Sequence, residues 1–281
     1  RFEDVSGIIH LSDTLVARDL EFKIRDNKFS VDGSFMNFHG WISGKPVILR
    51  GKSDLSCGKL EPEKLFPPAD RPGSGSAGKH ALKFPADVSV DVNLKVDHFV
   101  YKTFEARNIS GTLCYKPGVL DFNTLNLSAL DGAVSGNGLL AQNRNTSFVA
   151  RGHFGLEDIN IKKAFEAFRN FGQDFIKAEN LAGKLSGSVS VLIPADSLFR
   201  PDIKSITAEG KFIIANGGLI DFGPVKELSS FISISELETI RFEKLENDFF
   251  IRTNTLYLPQ MDVRSSAADL AINGKHSFDS E

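Results

Sequence analysis

The chain has 281 residues, 41% hydrophobic and 25% charged, with a formal net charge of -3. This is the composition of a globular protein with enough apolar mass for a large core. Lys and Arg are dispersed rather than clustered, so the positive footprint that phosphate neutralisation demands is missing and nucleic acid is set aside as a partner.

No apolar run approaches the roughly 20 residues of a membrane-spanning helix. Phe, at 24 residues against 3 Tyr and 1 Trp, makes the aromatic complement almost wholly non-polar, which suits a dry core or contact with hydrocarbon.

Residues 1–69 read as a first β repeat. Leu20, Phe22 and Ile24 alternate with Glu21, Lys23 and Arg25, and Phe29, Val31, Gly33 and Phe35 alternate with Ser30, Asp32 and Ser34. Period two marks strands wet on one face. Leu60 to Phe66 reads as a helical turn, with Pro62 near its start where a missing N–H does no harm. Residues 70–80 are rich in Gly and Ser and read as a flexible loop inserted in the sheet.

Residues 81–281 then read as one continuous sheet. Its cleanest strand is Asp87 to Asp97, with Val88, Val90, Val92, Leu94 and Val96 on one face and Asp87, Ser89, Asp91, Asn93, Lys95 and Asp97 on the other. Further strands follow at Leu113 to Tyr115, Leu120 to Phe122, Leu125 to Ala129, Val134 to Leu140 and Phe148 to Phe154. Ile161, Ala164, Phe165, Phe168, Phe171, Phe175 and Ile176 recur at helical spacing behind the cap Asn160, which predicts one long amphipathic helix. Its phenylalanine face either packs on the sheet or forms a lid or end cap over an apolar groove.

From Leu181 to Ile193 every odd position is apolar or glycine, and the alternation resumes with Ile206, Ala208, Gly210, Phe212 and Ile214. Asn216-Gly217-Gly218 predicts a tight hairpin turn, since both residue types tolerate positive φ. Pro224 begins a second short helix with Val225, Leu228, Phe231 and Ile232 on one side, and strands return from Ile240 to Phe278.

A repeat of close to one hundred residues runs through the first half. Leu20-Glu21-Phe22 matches Leu120-Asp121-Phe122, Val31-Asp32-Gly33 answers Val134-Ser135-Gly136, Arg50-Gly51 answers Arg151-Gly152, and Leu60 answers Ile161. Repetition favours an architecture that grows by adding strands. With few helices to cover it, a one-sided sheet must fold over itself. Glycines on the apolar face (Gly136, Gly138, Gly183, Gly187, Gly210) point to strong curvature, either at bends or in a trough with room for something else. The fold expected is therefore mainly β: an elongated, strongly curved, mostly antiparallel sheet forming a U-shaped groove, with the long helix and two short ones.

The series Leu181-Ala182-Gly183-Lys184-Leu185-Ser186-Gly187, then Glu209-Gly210-Lys211-Phe212-Ile213-Ile214-Ala215-Asn216-Gly217-Gly218-Leu219-Ile220, then a Leu/Phe-rich segment resembles the C-terminal region of the AsmA family. So does the ending, from Phe249-Phe250-Ile251-Arg252-Thr253 to Ser265-Ser266-Ala267-Ala268-Asp269-Leu270-Ala271-Ile272-Asn273-Gly274. The resemblance covers roughly residues 100 to 280. It implies a protein of the Gram-negative envelope, tethered to the inner membrane by an N-terminal anchor outside this sequence. Its β-groove would lie in the periplasm and contribute to phospholipid transport between the membranes or to outer-membrane assembly. Phospholipid or another acyl lipid would be the ligand, and an envelope protein a possible partner.

On this reading Val88, Val90, Val92, Leu94, Leu185, Val189, Val191, Phe212 and Ile214 line the groove, and Phe165, Phe168, Phe171 and Phe175 form the lid or cap. The alternative, from another class, is a structural module that binds an envelope protein through a sheet edge. Catalysis is not expected: GxSxG, a P-loop and a Cys/His signature are all missing. His10, His39, His80, His98, His153 and His276 lack metal-ligand spacing, so neither a metal nor a cofactor is expected. Asp87 and Asp91 read as solvated carboxylates on a wet face. Cys57 and Cys114 permit a disulfide without specifying one.

Overall fold

The structure, a computed structural model, describes residues 2–65, 83–144, 146–223, 238–267 and 269–278. Its 14 strands form a single open sheet whose spatial order is the order of the sequence. They are β1 (Phe2–Leu11), β2 (Thr14–Ile24), β3 (Asn27–Met36), β4 (Leu49–Leu60), β5 (Val88–Tyr101), β6 (Phe104–Lys116) and β7 (Val119–Ala129). The rest are β8 (Gly132–Gln142), β9 (Phe148–Asn160), β10 (Leu181–Ala195), β11 (Thr207–Ile220), β12 (Thr239–Arg252), β13 (Thr255–Arg264) and β14 (Asp269–Ser277). The pairing is mostly antiparallel, with β4 running parallel to β5. Among the described residues three short helices accompany it: α1 (Phe38–Ile42), α2 (Pro62–Leu65) and α3 (Ile161–Ala167).

The repeat has a structural counterpart. Leu20–Phe22 and Leu120–Phe122 lie in β2 and β7, the second elements in β3 and β8, the third in β4 and β9, and each set leads into a helix, α2 or α3. Three expectations are corrected. First, the helix at Ile161 ends after seven residues. Asn160 caps it as anticipated, accepting from the Lys163 N–H at 3.2 Å, but Arg169, Asn170 and Phe171 all take left-handed φ of 51° to 54°. Second, Asn216-Gly217-Gly218 makes no hairpin. β11 runs straight through it, and Asn216 at φ 49° is a bulged residue where the register with β10 shifts between Ala182 and Lys184. Third, the short strand segments fuse into strands of 9 to 15 residues. The short helix expected from Pro224 lies outside the described residues.

Bulges of this kind recur. Asp4, Asp19, Asn108, Asp158 and Asn216 sit inside strands at φ of 47° to 53°, and all are Asp or Asn, the non-glycine residues that best tolerate the left-handed region. At Asp4, Asp19 and Asn216 the ladder register shifts by an extra residue, which sharpens the local twist. In β2, Ala17 and Leu20 both stay on the inner side because Arg18 and Asp19 bulge out between them. Amides displaced at such points are caught by the next strand: Asp19 N–H donates to Asp32 Oδ1 at 2.8 Å and Asp158 N–H to Ser186 Oγ at 3.0 Å.

The chain divides into two compact units, Arg1–Leu127 with Gly136–Gly152 and Pro194–Asp202, and Ser128–Ser135 with His153–Ile193 and Ile203–Glu281. In the first, Val96, Cys57, Ala17, Ala106 and Phe148 are buried. Phe148 stacks on Phe199 with centroids 4.0 Å apart and meets Phe84 edge-on at 5.3 Å. Tyr115 closes that cluster, its hydroxyl donating to Pro85 O at 2.6 Å. In the second unit Ile159, Ile161, Ala208, Ile214, Ile240 and Val263 are buried.

Candidate functional site

Within the first unit, ladder register places Val88, Val90, Val92 and Leu94 on one face, because side chains two apart on a strand and directly opposite across strands share a side. Leu94 lies between Leu55 and Gly111, Val92 between Ser53 and Leu113, Val90 between Gly51 and Tyr115, and Val88 opposite Leu49. The rows continue outward: Leu55 faces Val31, which faces Leu20, and Cys57 faces Phe29, which faces Phe22. Leu20, Val31, Leu55, Leu94 and Leu113 are half-buried, while Ala17, Cys57 and Val96 are buried, Val96 at 1% exposure. Asp91, Asn93, Lys95 and Asp97 on the reverse face are exposed. This is an apolar sheet surface that the fold covers only in part.

Within the second unit Leu185, Val189, Val191, Phe212 and Ile214 also share one face. Leu185 opposes Ile214 and then Leu245; Val189 opposes Gly210 and then Phe249; Val191 opposes Ala208 and then Ile251; Gly187 opposes Phe212. Ile214 is buried and the other four are half-buried. The nine expected lining residues thus fall into two groups, one per unit. Leu55, Leu113, Leu245, Phe249 and Ile251 complete the two faces. The strand alternation around them carried the signal, but only the cross-strand register shows which strands they continue.

Glycine on the second face does not leave vacant room. A side chain at Gly210 would run into the Ser188 carbonyl and the Phe249 ring, and one at Gly217 would enter the Phe242 ring. These glycines admit a neighbouring aromatic ring or backbone, so any free space on this face lies above the side chains rather than at the glycines.

The expected phenylalanine lid is not a packed helix face. Phe165 meets Phe171 edge-on at 5.1 Å, and Phe168 stacks on Phe171 at 5.4 Å. Phe168, Phe171 and Phe175 are 46%, 50% and 59% exposed. Phe175 also contacts Phe222 at 5.2 Å and the His276 ring at 6.0 Å.

A depression of about 670 Å³ lies not on the apolar face but on the polar one of the first unit, over the β2 bulge, lined by Arg18, Asp19, Asp32, Lys52, Asp54, Asp91 and Asn93 among others. Its groups are bonded to one another, with Asn93 Nδ2 donating to Asp54 Oδ1 at 2.7 Å. It is open to solvent and does not enclose a volume for a hydrocarbon chain.

Among the described residues no group of three His, Cys, Asp or Glu is arranged to hold a metal. Asp87 accepts the Trp41 indole N–H at 2.7 Å, His98 pairs with Glu105 at 3.2 Å, and His153 contacts Ser190 at 3.0 Å. His276 lies against Phe278 at 5.4 Å, with Nε2 buried and without a hydrogen-bond partner among the described residues. Cys57 and Cys114 are free thiols. Cys57 faces Val96 on the apolar side and Cys114 faces Asp91 on the polar side, so the sheet itself separates them and a bridge is geometrically closed. Burial pushes both thiols up from their ordinary value, with the Asp91 carboxylate adding to the effect at Cys114.

Fold and site define a class: an open, mostly antiparallel sheet carrying half-covered apolar faces. No family model matches the chain, and no curated protein or solved structure does either. No helix among the described residues is long and apolar enough to cross a membrane.

Proposed function

We propose that the chain is a lipid-binding β-sheet protein of the AsmA type, holding acyl chains along its apolar faces and contributing to phospholipid transport or outer-membrane assembly in the bacterial envelope. What supports this reading is the run of register-matched apolar rows across β2 to β6, whose side chains remain half-buried. Hydrocarbon needs no hydrogen-bond partners, so a continuous apolar surface is a sufficient binding element, while headgroups stay at the wet rim. The reading assigns no catalytic step and no cofactor to any residue.

The test is native mass spectrometry of gently purified protein, followed by lipid extraction. Wild type is expected to retain about one or more phospholipids per chain. Val92→Asp in the first unit or Val189→Asp in the second should reduce retention, because a carboxylate amid hydrocarbon costs several kcal/mol. Folded, monodisperse protein that stays lipid-free when offered liposomes would instead favour a scaffolding module. That second reading is supported by β1, which pairs only with β2 among the described strands and exposes Phe2, Val5, Ile8, Ile9 and Leu11 by 52% to 65%. Natural sheets usually blunt or cover such an edge.

A further inference from the structure

The segment after α3 is an unusual place to expose phenylalanine. Three consecutive residues, Arg169, Asn170 and Phe171, hold left-handed φ values, and Gly172 follows at φ 72°. Such a run persists only where surrounding contacts determine it, and here they are visible. The Gln173 side chain donates to Asn170 O at 3.0 Å and to Ile176 O at 2.5 Å and accepts from Ile176 N–H at 3.0 Å. Asn170 Oδ1 accepts from Ala178 N–H at 3.0 Å. The turn is therefore held by its own side chains, and what it displays is the Phe168–Phe171 stack and Phe175, about half exposed.

Rings held in place in this way bind without a large ordering cost. Phe has no hydroxyl or indole N–H, the handle that Tyr and Trp bring to protein interfaces, so the display suits hydrocarbon better than a hydrogen-bonding protein surface. Arg169, between two of the rings, is exposed and forms no ion pair among the described residues. Lys162 is likewise exposed and unpaired among them, and Lys177 reaches only Asp174, at 3.9 Å. Cations beside apolar rings suit a layer whose surface carries phosphate and whose interior is acyl chain. Glu166, Asp174 and Glu179 offset Lys162, Lys163, Arg169 and Lys177 to a net of one positive charge, so the rings carry the contact and charge assists it.

We propose that the Phe168–Phe175 turn is a docking knob for the surface of a phospholipid bilayer, its rings entering the headgroup–acyl boundary while Arg169 stays among the phosphates. The proposal is independent of lipid carriage on the sheet, since a chain can dock on a bilayer without holding lipid.

Co-sedimentation with vesicles of phosphatidylcholine and phosphatidylglycerol tests it. Wild type should bind, and a Phe171→Ser/Phe175→Ser double variant should bind about tenfold more weakly or worse, from the apolar area withdrawn. Lys95→Ala, on the exposed reverse face of β5, should bind vesicles like wild type, and lipid retained by the purified wild type is measured apart from vesicle binding, so failure of the knob and failure of the groove read separately. Phe171→Trp supplies a check that does not depend on the double variant folding: its added fluorescence should be quenched by lipids brominated in the acyl chain. Wild type that ignores vesicles, a double variant that binds as wild type does, or added fluorescence in Phe171→Trp that is blind to brominated lipid would overturn the proposal. So would a wild-type dimer that the double variant converts to monomer without any vesicle binding, which would make a second copy the occupant.

Discussion

Gly210 and Gly217 both lie on β11 and both sit beside a phenylalanine of β12, yet the structure predicts different consequences for Gly→Ala at the two sites. At Gly217, which is buried, the three nearest atoms a methyl would meet belong to the Phe242 ring. At Gly210 the ring of Phe249 is met too, at 2.9 Å, but the nearest atom is the Ser188 carbonyl of β10. A ring can turn aside; a paired strand cannot without breaking ladder bonds.

Overpacking of this kind costs about 1–3 kcal/mol, so each single variant should lose about 2 kcal/mol. That corresponds to a fall in Tm of about 4–8 °C for a chain of this size. The discriminating measurement is a pair of double-mutant cycles followed by urea unfolding. Phe242→Leu should rescue Gly217→Ala with a coupling of at least about 1 kcal/mol, whereas Phe249→Leu should leave most of the Gly210→Ala loss in place. If Gly217→Ala stays within about 0.5 kcal/mol of wild type, or if both cycles are additive, the account of these glycines as ring and backbone clearances is wrong.

Four further outcomes are expected. Val96→Ala removes two methyls from a site at 1% exposure and should cost about 2 kcal/mol by chemical denaturation. With native protein a thiol reagent should modify Cys114 slowly and leave Cys57, at 3% exposure, for the unfolded state; Cys114→Ser should abolish the native phase, since both thiols are held largely protonated. The Lys163 ammonium, 2.6 Å from Asp131, holds that carboxyl below its ordinary 3.8. A carboxyl lowered in the folded state adds stability above the unfolded value, and this is lost as the pH falls through the folded one. Carbon-detected NMR titration should therefore move the Asp131 midpoint upward in Lys163→Ala, with the pair's contribution fading as the pH drops below the ordinary 3.8. Finally, Asp158→Gly should be neutral or stabilising at its left-handed φ, apart from any loss at Lys184, while Asp158→Val should destabilise by about 1–2 kcal/mol in the same unfolding assay.

The faces of this sheet were legible because period two is local: a strand such as Val88 to Val96 announces its inner side without reference to its neighbours. Which strand lies beside which was legible only as a tendency, and the parallel pairing of β4 with β5 was not written in either strand alone. Bulges hid for a physical reason. An Asp in a strand looks like an ordinary wet-face residue, and only the slip from Leu15 and Ala17 to Leu20, Phe22 and Ile24 shows that two residues, Arg18 and Asp19, intervene where one would keep phase.

The helix after Asn160 was overextended because Phe168, Phe171 and Phe175 keep helical spacing while the backbone does not. Asn170 and Gly172 were the stop signals, both suited to the left-handed region. Alternation alone grouped the candidate lining residues by strand face, whereas the exposure of the aromatic turn depended on backbone dihedrals that spacing does not encode.

Strand order that follows chain order has a kinetic consequence. Most ladders here can close as soon as their two strands exist, since the partner is the next segment along, and contacts of small sequence separation form quickly. Joining β4 to β5 is different: residues 61–87 must be looped before the first parallel bond is made. The entropy of that closure grows only logarithmically, by about 0.6 kcal/mol for each doubling of the loop. Lengthening this connection should thus slow the joining step modestly and leave the finished sheet almost as stable.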